Sequence, residues 1–272
     1  MNKNLVWSTD CHINFIKEYK LKQFCHEILD HNPTSVVLTG DLSEAPTLET
    51  HLRLLEKYIG SNIPIYFVCG NHDYYNGSIG AVRNMLKMNF NTNSAVQWLP
   101  NIDYVSLSDD VALVGHDGWY DGRYSDYFES ELDMNDYHCI KELKGNIWCR
   151  TDQYEVIGKL ASEAAYHISN AIDKAFQKHS IVYVATHVAP FKENSRAPNG
   201  ALSDKHWMPH FSSKIMGDTI LNTMNKYSKE YSLIILSGHN HTFWESYPTT
   251  NIRCITGEAQ YGNPKVCGVF QY

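Results

Sequence analysis

Seven residues spread along the chain carry side chains able to hold metal ions: Asp10, His12, Asp41, Asn71, His187, His239 and His241. Carboxylate, imidazole and amide oxygen form a mixed donor set that suits divalent or trivalent first-row metals, with manganese, iron, zinc and cobalt all compatible. The set is large enough for two ions. A binuclear hydrolytic centre needs a shared ligand, further ligands on each ion, and room for water. A carboxylate has two oxygens to share, so Asp41 is the natural bridge. Asp10 and His12 stand two apart, and in an extended segment such residues share a face; the pair can clasp one ion. His239 and His241 repeat that spacing. Divalent cations outweigh the charge of Asp10 and Asp41, so the centre is expected to attract a phosphate ester anion.

Each of these groups follows a short apolar run. Leu5 to Trp7 precedes Asp10, and Val36 to Leu38 precedes Gly40-Asp41. Ile65 to Val68 leads into Gly70-Asn71-His72-Asp73, Ile181 to Val184 into His187, and Leu233 to Leu236 into Gly238-His239-Asn240-His241. Short continuous apolar runs read as buried strands, and open α/β sheets bind ligands beyond the carboxyl ends of their strands. Five strand ends would then deliver their donors to one place. Taken singly, Asp-x-His is weak, Gly-Asp after a strand is commonly a turn, and a lone histidine is commonly a hydrogen-bonded core residue. The five together, each at a strand end, point to a metal centre.

The elements between these runs read as helices. Residues 14–31 place Ile16, Leu21, Phe24, Ile28 and Leu29 roughly on one face; Leu48, Leu52, Leu55 and Ile59 form a second stripe, and Ile79, Val82 and Leu86 a third. Strand–helix alternation implies right-handed crossovers and a largely parallel sheet. Residues 104–107 and 111–115 read as a hairpin. Residues 119–150 and 189–210 read as irregular insertions beside the site. A long amphipathic helix covers Val156 to Phe176, and another lies near Ile215 to Tyr227. Strands near 242–247, 253–256 and 266–270 follow in quick succession and suggest an antiparallel second sheet. No linker, repeat or low-complexity tract interrupts residues 1–272, so a single domain is expected.

Composition narrows the field. The chain has 272 residues, 43% hydrophobic and 19% charged, with a net charge of −7. That sign disfavours nucleic-acid partners, which select a basic patch. The acids of the first insertion (Asp121, Asp126, Glu129, Glu131, Asp133, Asp136) add to the effect. Seven scattered cysteines without a Cys-x-x-Cys pair argue for a reducing compartment. Cys11, between two ligand candidates, is expected to point into the packing. No signal-peptide core and no membrane-length apolar stretch stands in the sequence, so a cytoplasmic location without a membrane partner is expected. Nothing speaks for or against an oligomer.

The ordered set Asp10-x-His12, Gly40-Asp41, Gly70-Asn71-His72-Asp73, His187 and Gly238-His239-x-His241 resembles the calcineurin-like metallophosphoesterase superfamily, over nearly the whole chain. The resemblance implies a four-layer αββα sandwich, two central mixed sheets between helices. It implies that Asp10, His12, Asp41 and His241 hold one ion while Asp41, Asn71, His187 and His239 hold the other. His72 would be the catalytic histidine, with Asp73 behind it. One departure is Thr186 before His187, where many relatives have glycine. In the implied reaction a hydroxide bridging the metals attacks phosphorus in line, and the metals stabilise the developing charge. Asn71 can also orient the phosphate through its amide N–H. His72 would protonate the leaving oxygen or hydrogen-bond the phosphoryl group. Asp73 would either fix the His72 tautomer or cap a helix.

The substrate is expected to be a small phosphorylated molecule, with a phosphodiester or nucleotide slightly favoured over a phosphomonoester. Arg123 and Arg196 are candidates for phosphate contacts and Tyr120 for stacking on a base. Trp119, Tyr124, His206, Trp207 and His210 are further candidates from the same insertions. The plainer reading is that these aromatics pack loops onto the core. A nuclease and a non-catalytic scaffold on the same fold are the alternatives; the presence of His72 and every ligand position speaks against the scaffold.

Overall fold

The computed structural model describes residues 3–144 and 149–272. The first sheet contains β1 (Asn4–Ser8), β2 (Ser35–Thr39), β3 (Ile65–Val68) and β4 (Val96–Trp98), all parallel and in that order. The second is built on β6 (Val111–Gly115), β7 (Ile181–Ala185), β8 (Ser232–Ser237) and β10 (Ile252–Thr256), also parallel neighbours. Antiparallel edge strands complete it: β5 (Val105–Ser106) on β6, as the hairpin reading predicts, and β9 (Trp244–Thr249) on β10.

Three separate cores show why the runs are apolar on both faces. Val6, Val36, Leu38, Ile65 and Phe67 face the helices α1 (Glu18–Asp30), α2 (Leu48–Ile59) and α3 (Ile79–Asn89). Their neighbours Leu5, Trp7, Val37, Tyr66 and Val68 face the other sheet, where they meet Leu113, Tyr183, Leu236 and Ile255. The remaining face of the second sheet, with Val114, Val182, Val184, Leu233 and Ile235, packs under α6 (Arg150–Ala175) and α8 (Lys214–Met224). Alternation along a strand sends successive side chains into different cores, so nearly every position of these strands is buried. The result is helix, sheet, sheet, helix, the expected sandwich.

Most helical stripes lie where the periodicity puts them. Leu48, Leu52, Leu55 and Ile59 are the buried residues of α2, and Ile79, Val82 and Leu86 those of α3. The first helix starts later than its pattern, at Glu18, after a short 3-10 turn over Ile13–Phe15. The first insertion holds two short helices, α4 (Asp136–Cys139) and α5 (Lys141–Lys144), and its residues 145–148 lie outside the described residues. The second contains α7 (Met208–Phe211).

The C-terminal expectation needs correction. The last strands do not form an antiparallel sheet of their own: β10 runs parallel to β8 inside the second sheet. The final strand β11 (Gly268–Gln271) crosses to the first sheet and pairs antiparallel with β1, Asn4 opposite Gln271. The edge of β1 offered unpaired backbone groups, and the connection over 257–267 is long enough to reach it. Among the described residues no helix is long and apolar enough to cross a membrane.

Candidate metal centre

The ends of β1, β2, β3, β7 and β8 converge at one end of the sandwich, and the loops beyond them are stitched together. Asp10 N donates to Gly40 O at 3.0 Å, His12 N to Asp41 O at 2.9 Å, and Gly238 N to His187 O at 2.9 Å. Asp10, His12, Asp41 and His241 offer ligand atoms that all lie within 4.8 Å of one another. His12 Nε2 and His241 Nε2 face each other at 3.3 Å, His241 Nε2 is 3.1 Å from Asp10 Oδ1, and His12 Nε2 is 3.8 Å from Asp41 Oδ2. A second constellation abuts the first. Asn71 Oδ1 lies 3.1 Å from both His187 Nε2 and His239 Nδ1, and His187 Nε2 is 3.4 Å from Asp41 Oδ1. The two oxygens of Asp41 thus face different halves.

In the half built on Asn71, His187 and His239 the donor set fits a cation because the imidazole nitrogens pointing away from it are spoken for. His187 Nδ1 bonds Thr39 O at 2.8 Å, which leaves Nε2 for the centre. His239 Nε2 bonds His210 O at 3.0 Å, which leaves Nδ1. A backbone carbonyl accepts only, so in the neutral ring it fixes the tautomer that presents a lone pair inward. Burial holds His12 and His239 near a pKa of about 4, so both rings are neutral, the form that coordinates. Burial opposes charge on His187 as well, yet the Asp41 carboxylate beside it raises its pKa to about 10.

The backbone reason expected for the pairs is wrong. Asp10 and His12 are not on an extended strand: β1 ends at Ser8, and their φ angles are 49° and 41°. His239 and His241 are left-handed too, at 70° and 55°, as is Asp41 at 52°. Such angles are uncommon and strained for residues other than glycine, and they gather at functional sites. Cys11 behaves as expected, buried in the first core.

Glycines let the loops approach. A Cβ on Gly70 would sit 2.6 Å from Asp41 N, 2.7 Å from His187 Cε1, and closer still to Asp41 Oδ1. One on Gly238 would overlap Thr9 Oγ1 and Asp10 Oδ2.

His72 stands at the rim, its ring stacked on Tyr75 at 4.2 Å and its Nε2 3.9 Å from Asp41 Oδ2. Asp73 does not touch that ring. Its Oδ1 accepts from Leu42 N at 2.9 Å and Ser43 N at 2.7 Å, and its Oδ2 from Gly70 N at 2.8 Å. The carboxylate holds the Asp41 loop against the Gly70 loop; His72 Nδ1 has no partner among the described residues. Neither role expected of Asp73 matches this geometry.

Asp136 escaped the sequence reading, which counted it with the surface acids. It is fully buried; Oδ1 accepts from Asn71 Nδ2 at 2.8 Å and Tyr75 OH at 2.6 Å, and Oδ2 from Tyr120 OH at 2.8 Å. Asp136 therefore turns Asn71 so that its carbonyl oxygen faces the imidazoles. Asp121 is buried as well, accepting from Lys214 N and Ile215 N at the start of α8. No sequence signal separated these two from their exposed neighbours.

The substrate candidates divide. Tyr120 is fully buried against Asp136 and cannot stack on a ligand. Arg123 lies beside Asp121 at 3.9 Å, at the start of α8. His210 and Trp119 are buried, and Tyr124 bonds Pro190 O at 3.4 Å. His206 Nδ1 accepts from Glu131 N at 3.1 Å, so it pins the first insertion. Arg196 and Trp207 do line a cleft of about 380 Å³ together with Asn240, the residue between two ligand candidates.

The calcineurin-like phosphoesterase family matches residues 4–243, and the chain belongs to that family. A protein of Acanthamoeba polyphaga mimivirus is 22% identical over 246 residues, covering 87% of this chain and 84% of its own. A dimetal phosphatase from Danio rerio has a similar structure, with a TM-score of 0.61 at 13% identity, covering 98% of this chain and 91% of that one. A protein of Thermus thermophilus shares the fold at a TM-score of 0.54 and 8% identity, covering 95% of this chain and 90% of that one.

Proposed function

We propose that this chain is a binuclear metallophosphoesterase acting on a small phosphorylated substrate, with a phosphodiester or nucleotide favoured over a phosphomonoester. The observation that carries the reading is Asp41, whose two oxygens face two separate groups of nitrogen and oxygen donors. Asp10, His12, Asp41 and His241 would hold one cation, and Asp41, Asn71, His187 and His239 the other; manganese, iron and zinc all suit the set. When bound, the cations would neutralise phosphoryl oxygens and lower the pKa of water in the site.

The chain's own groups do the rest. Asp136 holds Asn71 with its oxygen inward. Asp73 keeps the Asp41 and Gly70 loops in register. Tyr75 holds the His72 ring at the rim by stacking, with no carboxylate of the described residues hydrogen-bonded to it. That imidazole would hold a proton against the oxygen of the departing group, the role of a general acid. The test is a screen of purified protein against manganese, iron, zinc and cobalt, with phosphomonoesters, phosphodiesters and nucleotides as substrates and His72→Ala as the blank. Metal-dependent turnover, reduced in the blank on alkyl esters, is expected. Metal-independent turnover, or none with any pairing, overturns the reading.

A further inference from the structure

Exposed aromatic side chains flank the centre on both halves. Next to the Asp10 half, the Tyr261 ring lies 4.3 Å from His12, 5.1 Å from His241 and 6.2 Å from His72. Phe15 meets it edge-on at 5.4 Å. Both are about half exposed, Tyr261 at 51% and Phe15 at 55%. The loop that carries Tyr261 joins β10 to β11, and Lys20 Nζ ties it to α1 through Gly262 O at 2.8 Å. Next to the other half, the Phe211 ring lies 4.7 Å from His239, with Trp207 against it at 5.2 Å and 47% exposed. These two rings line the cleft of about 380 Å³, with Arg196, Pro198, Leu202 and Asn240.

One polar residue beside the cleft is incompletely paired. Asn240 is 8% exposed; its amide nitrogen donates to Asn194 O at 2.6 Å, but its Oδ1 has no partner among the described residues. A buried acceptor left unpaired costs free energy. Large apolar surface left open beside polar groups marks a binding site.

A monoester has a single organic arm and fills one of these walls. We propose that the substrate is two-armed: a phosphodiester, or a diphosphate joining two groups, with a planar ring on each side of the bond that breaks. This rests on the metallophosphoesterase reading above. The arm that keeps the phosphate is a nucleoside-like group, its ring against Trp207 and Phe211. The leaving arm lies against Tyr261 and Phe15, the wall that His72 shares. Hydrolysis adds a water oxygen to phosphorus, breaks the bond to the leaving arm and puts a proton on that arm's oxygen. The products are a phosphomonoester of the retained arm and, from a diester, the free alcohol of the leaving arm or, from a diphosphate, its phosphomonoester.

Two diesters with the same leaving group test this in the metal-loaded protein: bis-p-nitrophenyl phosphate, whose retained arm carries a ring, and methyl p-nitrophenyl phosphate, whose retained arm does not. The wild-type ratio of kcat/KM between them is expected to exceed tenfold and to fall at least fivefold in Trp207→Ala. Tyr261→Ala should lower kcat/KM on both and keep their ratio, because both lose the same leaving-arm contact. An unchanged ratio in Trp207→Ala, or a wild-type preference for p-nitrophenyl phosphate over both diesters, overturns the two-armed substrate and leaves the phosphoesterase reading standing. A separate readout needs no turnover. Adenosine monophosphate should quench tryptophan fluorescence in the wild type at concentrations where inorganic phosphate does not, and Trp207→Ala should abolish the quench. Loss of all turnover with the quench intact counts against the reaction and for the cleft; no quench in the wild type counts against the cleft.

Discussion

At the level of single side chains, the centre separates residues that hold from residues that act. Asp41 would hold, because its two oxygens face different halves. Asp41→Ala is expected to remove bound metal and activity together, and two tightly bound ions per chain in that variant would refute the bridge. His72 acts. His72→Ala should lose roughly 10²–10⁴ in rate on an alkyl ester, the range for general acid catalysis. On a p-nitrophenyl ester, whose leaving group needs no proton, the loss should shrink. Equal losses on both esters would remove His72 from the leaving-group oxygen. His187 carries a third consequence. Asp41 overcomes burial and raises its pKa to about 10. The charged ring therefore stabilises the metal-free fold in full below an ordinary histidine pKa of about 6.5, and that contribution is lost as pH rises through about 10. A cation must displace that proton. Calorimetric titration with manganese near pH 8, in buffers of different ionisation enthalpy, should show net proton release and tighter binding at higher pH; no release would mean a neutral His187.

At the level of loops and helices, position depends on close approach and on the first insertion. The β3–Gly70 loop touches the Asp41 loop so closely that a methyl group has no room. Gly70→Ala should move Asp41 and His187 apart and lower the rate by roughly 10²-fold, the scale for ångström misplacement of reacting groups. Circular dichroism should stay that of the wild type, and metal content should fall. The α4 segment contributes Asp136, whose carboxylate fixes Asn71. Asp136→Ala frees that amide to rotate and should cost about 10–100-fold in metal affinity or activity, as loss of a group that orients a ligand does. A variant with wild-type affinity and rate would make Asp136 only a packing residue.

At the level of the whole molecule, the ligand candidates come from loops after strands of both sheets, so cations would tie the two halves of the sandwich together. Ligands that bind only the folded state stabilise it by about 2.7 kcal/mol at a hundredfold excess over Kd. For a chain of this size each kcal/mol moves Tm by roughly 2–4 °C. Saturating manganese should therefore raise Tm by roughly 5–10 °C, and a chelator should reverse it. A Tm indifferent to both would mean that the side chains bind no cation in the fold. The net charge of −7 fits a small anionic substrate drawn by local positive charge rather than a polyanion drawn by the surface.

Much of this is legible in the residue order. Strand ends, helical stripes and the ordered donors are local patterns: apolar periodicity reports burial, and dense Asp, Asn and His after a strand report a site, so Asp10, His12, Asp41, Asn71, His187, His239 and His241 could be grouped from sequence. Only the tertiary structure decided the rest. It bent the ligand segments into left-handed conformations, which depend on contacts between loops rather than on spacing. It sent β11 to the first sheet and with that loop brought Tyr261 over His12. It took Asp73 from His72 to the backbone of Leu42 and Ser43, and Asp136 and Asp121 from the surface to the interior. A carboxylate's partner is set by what the fold brings within hydrogen-bond reach, across tens or hundreds of residues, and residue order alone carries no record of it.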